Sequence, residues 1–271
     1  MQHSRLAFSL VELSIVLVIL GLLVGGILSG QSLIRAAELR SATAEYQKYY
    51  TAVQTFRDKY FAAPGDMNTA TRFWGNLGSA GCVNNAGTGA VTTGTCDGNS
   101  DGILTAGAVV SQTSEIFQFW RQLAAAGLIE GTYTGIAGAT AGWSGNDAIV
   151  GTNVPKAKLN NAGWSVYAMI NYAGNNWTYA MDYGSALHLG GQTAGTVTET
   201  AVIRPEEAWN IDTKIDDGKP GTGKLIAKEN GNFTLAVGVK CTTSTSQTDY
   251  TGSYSLANTA LICSLIFPKF I

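Results

Sequence analysis

Residues 5–34 read RLAFSLVELSIVLVILGLLVGGILSGQSLI, and this stretch decides how the rest of the chain is arranged. Residues 13–34 carry no charged side chain, so an apolar run opens after Glu12 and closes before Arg35. Roughly 20 apolar residues at helical rise cross the ~30 Å hydrocarbon core of a bilayer, so the segment is long enough to span one. It is too long for an ordinary secretory signal, and the small basic leader Met1–Ala7 (MQHSRLA) precedes it where a signal would have a cleavage site after it. Glu12 sits inside the first turns. A lone carboxylate near lipid is costly and calls for a partner. The plain alternative is a single-span anchor in which Glu12 is incidental.

Past Arg35 the helical pattern continues in a different character. Leu39, Ala42, Tyr46, Tyr49, Val53, Phe56 and Tyr60 recur in steps of three and four, which draws one apolar stripe on a helix. Arg40, Glu45, Lys48, Arg57 and Asp58 fall on its other faces. Pro64-Gly65 stops the pattern. One helix from Phe8 to about Tyr60 is roughly 80 Å long at 1.5 Å per residue. Its first half has no soluble partner in the chain, and its second half presents a stripe to a head. Gly21, Gly25, Gly26 and Gly30 weaken the first half by up to ~1 kcal/mol each relative to Ala; they also permit close helix packing in lipid.

A chain of 271 residues has room for one or two domains with a sizeable core. Only 13% of residues are charged, against a usual ~25%, and the formal net charge is −2. No basic run follows the leader, so nucleic-acid binding through a positive face is not expected. The four cysteines, Cys82, Cys96, Cys241 and Cys263, lack zinc-site spacing. Outside a membrane anchor an even count points to disulfides. Three pairings are possible, and pairing of sequence neighbours, Cys82–Cys96 and Cys241–Cys263, is the one expected.

In the head, residues 61–111 read as loop-rich and SEIFQFWRQLAAAGLI as a helix. Ser114 is its cap, Ile116, Phe119, Trp120 and Leu123 its apolar face, and Gly127 its stop. Residues 132–163 are small and polar and read as a surface insertion. GWSVYAMINYAGNNWTYAMDYG (163–184) reads as a hairpin turning at Gly174-Asn175, with Trp177, Tyr179, Met181 and Tyr183 on one face. RPEEAWNIDTKIDDG reads as a helix with Pro205 in its first turn and Gly218 past its end. NFTLAVGVKC and ALICSLIFPKFI are strand candidates. Helix first and antiparallel strands later make the fold class α+β.

Few motifs carry chemistry. Asp97, Asn99 and Asp101, with Gly102 at the turn, match the first half of a calcium loop, oxygen donors at alternate positions. Ala108 stands where a bidentate Glu would close it, so the rival is a plain Asp/Asn/Gly turn beside Cys96. Calcium is therefore a candidate cofactor and no other is expected. Gly218–Lys224 mimics a phosphate loop, but Leu225 replaces the Ser/Thr and polar KIDD precedes it. Asp212 and Asp216 lie one turn apart among lysines and read as a solvated helix end. His188 reads as a surface or hairpin-end residue, and with no Gly-x-Ser-x-Gly elbow no hydrolase arrangement is visible. Trp143 and Trp164 are candidates for ligand contact, with aromatic packing the expected role. The chain is not expected to be an enzyme.

The order Ala7, Phe8-Ser9-Leu10-Val11-Glu12, after a basic leader and before a long apolar helix, resembles the N-terminus of type IV prepilins and type II secretion pseudopilins. Ala7 stands where that family usually has Gly. The resemblance implies that a membrane-embedded prepilin peptidase cuts after Ala7 and methylates the new amine of Phe8. It also implies that Glu12 and that amine carry assembly with copies of the chain and other pilin-like subunits on an inner-membrane assembly platform. The divisions it implies are a leader at 1–7, a transmembrane and filament-core helix at 8–34, the amphipathic half of the same helix at 35–60, and an extracytoplasmic head at 61–271. The fold it implies is a long N-terminal helix packed on an antiparallel sheet, with a disulfide near the C-terminus.

Overall fold

The computed structural model describes residues 10–78, 94–104, 115–139, 147–173, 176–229, 233–234 and 239–271. Helix α1 runs without a break from Leu10 to Tyr60, about 75 Å at 1.5 Å per residue. It ends where Phe61 (φ 54°) turns left-handed and donates to Arg57 O at 2.9 Å. The stripe read from the sequence is the buried one. Ala42, Tyr49, Val53 and Phe56 are buried, while Leu39, Tyr46 and Tyr60 are partly so.

The remaining elements are α2 (Ala70–Trp74), α3 (Glu115–Ala125), β1 (Gly163–Met169), β2 (Gly184–Gly190), α4 (Pro205–Ile215), β3 (Ile226–Glu229) and β4 (Cys263–Phe267). The strands form one antiparallel sheet in the order β1-β2-β4-β3, so the chain is α+β. Pairing sets the faces. Trp164, Val166, Leu187, Leu189, Ala227, Leu265 and Phe267 share the main core with α1 and α3. Ala186, Ile226 and Ile266 point to the opposite face, which Tyr179, Tyr183 and Phe233 cover.

Aromatic rings join α1 to this core. Tyr46 stacks on Phe267 at 4.5 Å, and Tyr49 meets Trp120 and Trp164 edge-on at 5.1 and 5.7 Å. Such pairs contribute about 0.5–1.5 kcal/mol beyond their buried area. Trp164 is thus a packing residue, as expected; Trp143 lies outside the described residues.

Helix α3 ends as its sequence says, with Gly127 (φ 71°) and the Leu128 N–H donating to Leu123 O at 3.0 Å. Ser114, its expected cap, lies outside the described residues. The helix is buried on more than its apolar face, because Gln118, Arg121 and Gln122 are interior as well. Their side chains satisfy loop backbone: Gln118 accepts from Cys96 N and donates to Gly135 O, and Gln122 accepts from Gly65 N and donates to Cys96 O. Arg121 donates to Gly94, Tyr133 and Thr134 carbonyls. A loop-rich head can bury its loops only if such donors and acceptors are supplied.

Several expectations are corrected. The strand paired with β1 is 184–190, not 177–183, and Tyr172↔Met181 is only an isolated bridge. The alternating aromatics do not share a strand face: Tyr179 and Tyr183 are buried, while Trp177 is exposed. The expected turn, Gly174-Asn175, lies outside the described residues. Residues 147–163 are not a surface insertion, since Ala148, Val154, Ala157, Leu159 and Ala162 are core. Buried Asn153 makes this possible, accepting from Ile149 N and donating to the carbonyls of Ile136 and Asp147. Strand β3 lies in KLIAKE; of NFTLAVGVKC, the described residues 233–234 and 239–241 are not in a strand. PGDMNTATRFWG holds the short helix α2 within the expected loop.

Candidate functional site

The exposed half of α1 is built by its sequence. Large apolar residues from Leu10 to Ile34 are all at least half exposed, and none of the most apolar window is buried within the molecule. By length and composition the helix can cross a membrane. Among the described residues a Cβ placed on Gly21, Gly25, Gly26 or Gly30 would meet nothing within 4 Å, so no contact among them calls for glycine there. Glu12 lies in the exposed first turn; Ala7 and Phe8 lie outside the described residues.

Arg35 marks the point where the helix meets the head. Its guanidinium grips Glu207 of α4 with two hydrogen bonds, 2.7 and 2.6 Å, and also donates to Val202 O and to Glu38. Glu207 simultaneously accepts from Arg204 N at 2.9 Å, closing the N-terminus of α4. Burial pushes the Glu207 carboxyl up, but Arg35 and the Arg204 amide together hold it below its ordinary value. Nearly three turns further along, Glu45 accepts from Trp164 Nε1 at 3.0 Å and from the Lys158 amide. Burial raises its pKa despite those bonds. The sequence placed Glu45 on a polar face and gave Arg35 no partner. The available signal was the first charge after the apolar run, together with Pro-Glu-Glu at a helix start.

The cysteines follow the expected pattern as far as they are described. Cys241 and Cys263 form a disulfide that fastens β4 to the loop at 239–242. Cys96 is disulfide-bonded; Cys82, its expected partner, lies outside the described residues. Near this bridge Glu229 accepts from Cys241 N and from Thr242, and buried Lys240 donates to the Phe233 and Ser244 carbonyls.

The Asp97 loop divides its three candidate ligands. Asp97 accepts from the amide and hydroxyl of Thr71, which closes the first turn of α2. Asn99 and Asp101 stay together, with Asn99 Nδ2 donating to Asp101 Oδ2 at 2.8 Å. The carboxylates that approach Asp101 are instead Asp66 and Glu115, all within 4.8 Å. The oxygens of Asp66 already accept from Asp101 N and Gly102 N, and Glu115 accepts from Asn99 N. Spacing along the chain could not show that Asp66 and Glu115 fold back onto this turn.

Two further residues depart from expectation. His188 is not at the surface but fully interior on β2, facing Ser165 and Ile266 across the sheet. Neither ring nitrogen has a hydrogen-bond partner among the described residues, and burial, with Lys228 nearby, lowers its pKa to about 3. Asp212 is not a solvated helix-end residue: it is fully buried and accepts from the Tyr254 hydroxyl at 2.8 Å. In the Gly218–Lys224 loop the amides of Lys219 and Lys224 already bond Asp217 and Asp216, where a phosphate loop would offer amides to a ligand. Among known proteins, no family model, curated protein or solved structure matches the chain.

Proposed function

We propose that the chain is a structural subunit of a type IV pilus or type II secretion pseudopilus, held in the inner membrane and then polymerised through α1. The observation that carries this reading is a single continuous helix whose first half is apolar and uncovered and whose second half is clamped into a head. An anchor needs only a span. Here the span is a rigid extension of the head's own core helix, so pulling the head also moves the span. The resemblance around Ala7–Glu12 supplies the rest: a prepilin peptidase cleaves before Phe8, and the new amine pairs with Glu12 of a neighbouring subunit. An alternative is a scarce tip subunit or adhesin whose head recognises a surface or cargo through residues 132–163 and 185–200, but 147–163 and β2 contribute core residues.

Intact mass of the protein purified from membranes tests the reading. The expected chain starts at Phe8 and carries one added methyl group, and a bulky residue at position 7, as in Ala7→Trp, leaves it uncut. A mature chain that keeps Met1–Ala7 would refute the proposal.

A further inference from the structure

At the C-terminal end of α4 three carboxylates converge. Asp212, Asp216 and Asp217 each offer an oxygen, all within 4.8 Å of one another. Asp212 is 0% exposed, and its Oδ1 has no hydrogen-bond partner among the described residues, although Oδ2 accepts from Tyr254. The Asp212 carboxyl faces the Gly218 amide and the charges of Asp217 and Asp216; burial first, and those charges next, raise its pKa to about 7. Lys214, Lys219 and Lys224 are close in sequence, but none forms an ion pair with these carboxylates among the described residues. A buried acceptor lacking a donor is expensive, and so is a knot of like charges.

The surrounding turn holds the other two carboxylates in place. Asp217 accepts from Lys219 N at 2.8 Å and from Thr222 Oγ1 at 2.7 Å, and Asp216 accepts from Lys224 N. A Cβ on Gly223 would lie 1.5 Å from Asp216 Oδ2, so the carboxylate occupies the space that only glycine leaves.

We propose that Asp212, Asp216 and Asp217 bind a hard divalent cation, calcium in preference to magnesium. Carboxylate oxygens are the donors such ions take, and calcium accepts irregular sets at 2.3–2.6 Å, so its ligand atoms lie up to roughly 5 Å apart. Magnesium demands a tighter octahedron and keeps its waters. The ion completes Asp212 Oδ1, offsets the three charges, and ties the 216–224 turn to α4, the helix that Arg35 joins to α1. This site is separate from the Asp101 turn and does not depend on the filament reading.

The test is calorimetric titration of full-length protein in detergent, stripped with chelator, with calcium chloride and then magnesium chloride. Calcium is expected to bind, and more tightly than magnesium. Asp217 is exposed, so Asp217→Asn should fold and bind calcium at least roughly tenfold more weakly, since even outer-shell changes weaken metal affinity that much. Asp101→Asn should keep the site. Terbium provides a second measurement on the wild type: Tyr254, bonded to a ligand, and Trp209, against the Gly218 turn, should sensitise emission that calcium displaces. A stripped wild type that binds no calcium, equal affinity in Asp217→Asn, loss of the site in Asp101→Asn alone, or absence of calcium-displaceable emission would each overturn the site. Tighter magnesium binding would overturn the choice of ion.

Discussion

His188 shows at the scale of one residue what the sequence could not. A histidine between Leu187 and Leu189 near a glycine pair looks like the end of a hairpin. It is instead the middle of a central strand with both faces covered, the sheet's second face lying under Tyr179, Tyr183 and Phe233. Burial holds the ring neutral down to about pH 3, whereas an unfolded histidine takes a proton near its ordinary 6.5. The contribution is therefore fully present above pH 6.5 and is lost as pH falls, by roughly 1.4 kcal/mol per unit, until the folded ring titrates. Asp212 acts in the opposite sense, because its folded carboxyl takes a proton at about 7, and it flattens the raw profile. The informative quantity is the difference between wild type and His188→Leu in denaturant unfolding across pH 4–7. Leu leaves no unpaired ring nitrogen, so the variant should match or exceed wild-type stability at pH 7. Its advantage should then grow steadily below 6.5. A difference flat with pH would show that His188 does not titrate this way.

Among the elements, α1 was the most legible and the sheet the least. A period near 3.6 sustained from Leu39 to Tyr60 has one physical meaning, and the helix obeys it to its last residue. Helices α3 and α4 were equally plain, since Gly127 and Pro205 mark their ends. The strands were misread because this sheet is buried on both sides, so β2 (GSALHLG) does not alternate, whereas 177–183 alternates without pairing. The contact between α1 and α4 was not legible at all, as Arg35 and Glu207 are far apart in the chain. With partly exposed side chains, 27% and 11%, the pair lies between surface and buried ion pairs. Arg35→Ala should destabilise the head by about 1–3 kcal/mol, between the ~0–1 of surface pairs and the ~3–5 of broken buried ones. Glu207→Ala should cost more, because Arg204 N also loses its acceptor. Urea unfolding in detergent, run as a double-mutant cycle, measures the coupling; additive losses would mean that the pair does not join the two helices.

At the scale of the molecule, a head whose main core includes the second half of α1 carries the apolar, uncovered first half of that helix. The residues proposed to start assembly, Ala7 and Phe8, are legible only through the local motif, and Glu12 only as a lone carboxylate before an uncharged run. On the proposed assembly, drawing α1 from lipid into a filament core would strip water from Glu12, an unpaired carboxylate there would be costly, and a neighbour's Phe8 amine would be its partner. Removing one member of a buried pair typically costs ~3–5 kcal/mol. The monomer has no such requirement, so Glu12→Ala should leave insertion, cleavage and disulfides intact. The direct measurement is the ratio of protein in sheared filaments to protein in membranes, for wild type and for Glu12→Ala as the sole copy. Wild type should enter the filament fraction and Glu12→Ala should stay in the membrane. Wild type that never leaves the membrane, or Glu12→Ala that enters filaments equally well, would contradict assembly through α1 and Glu12.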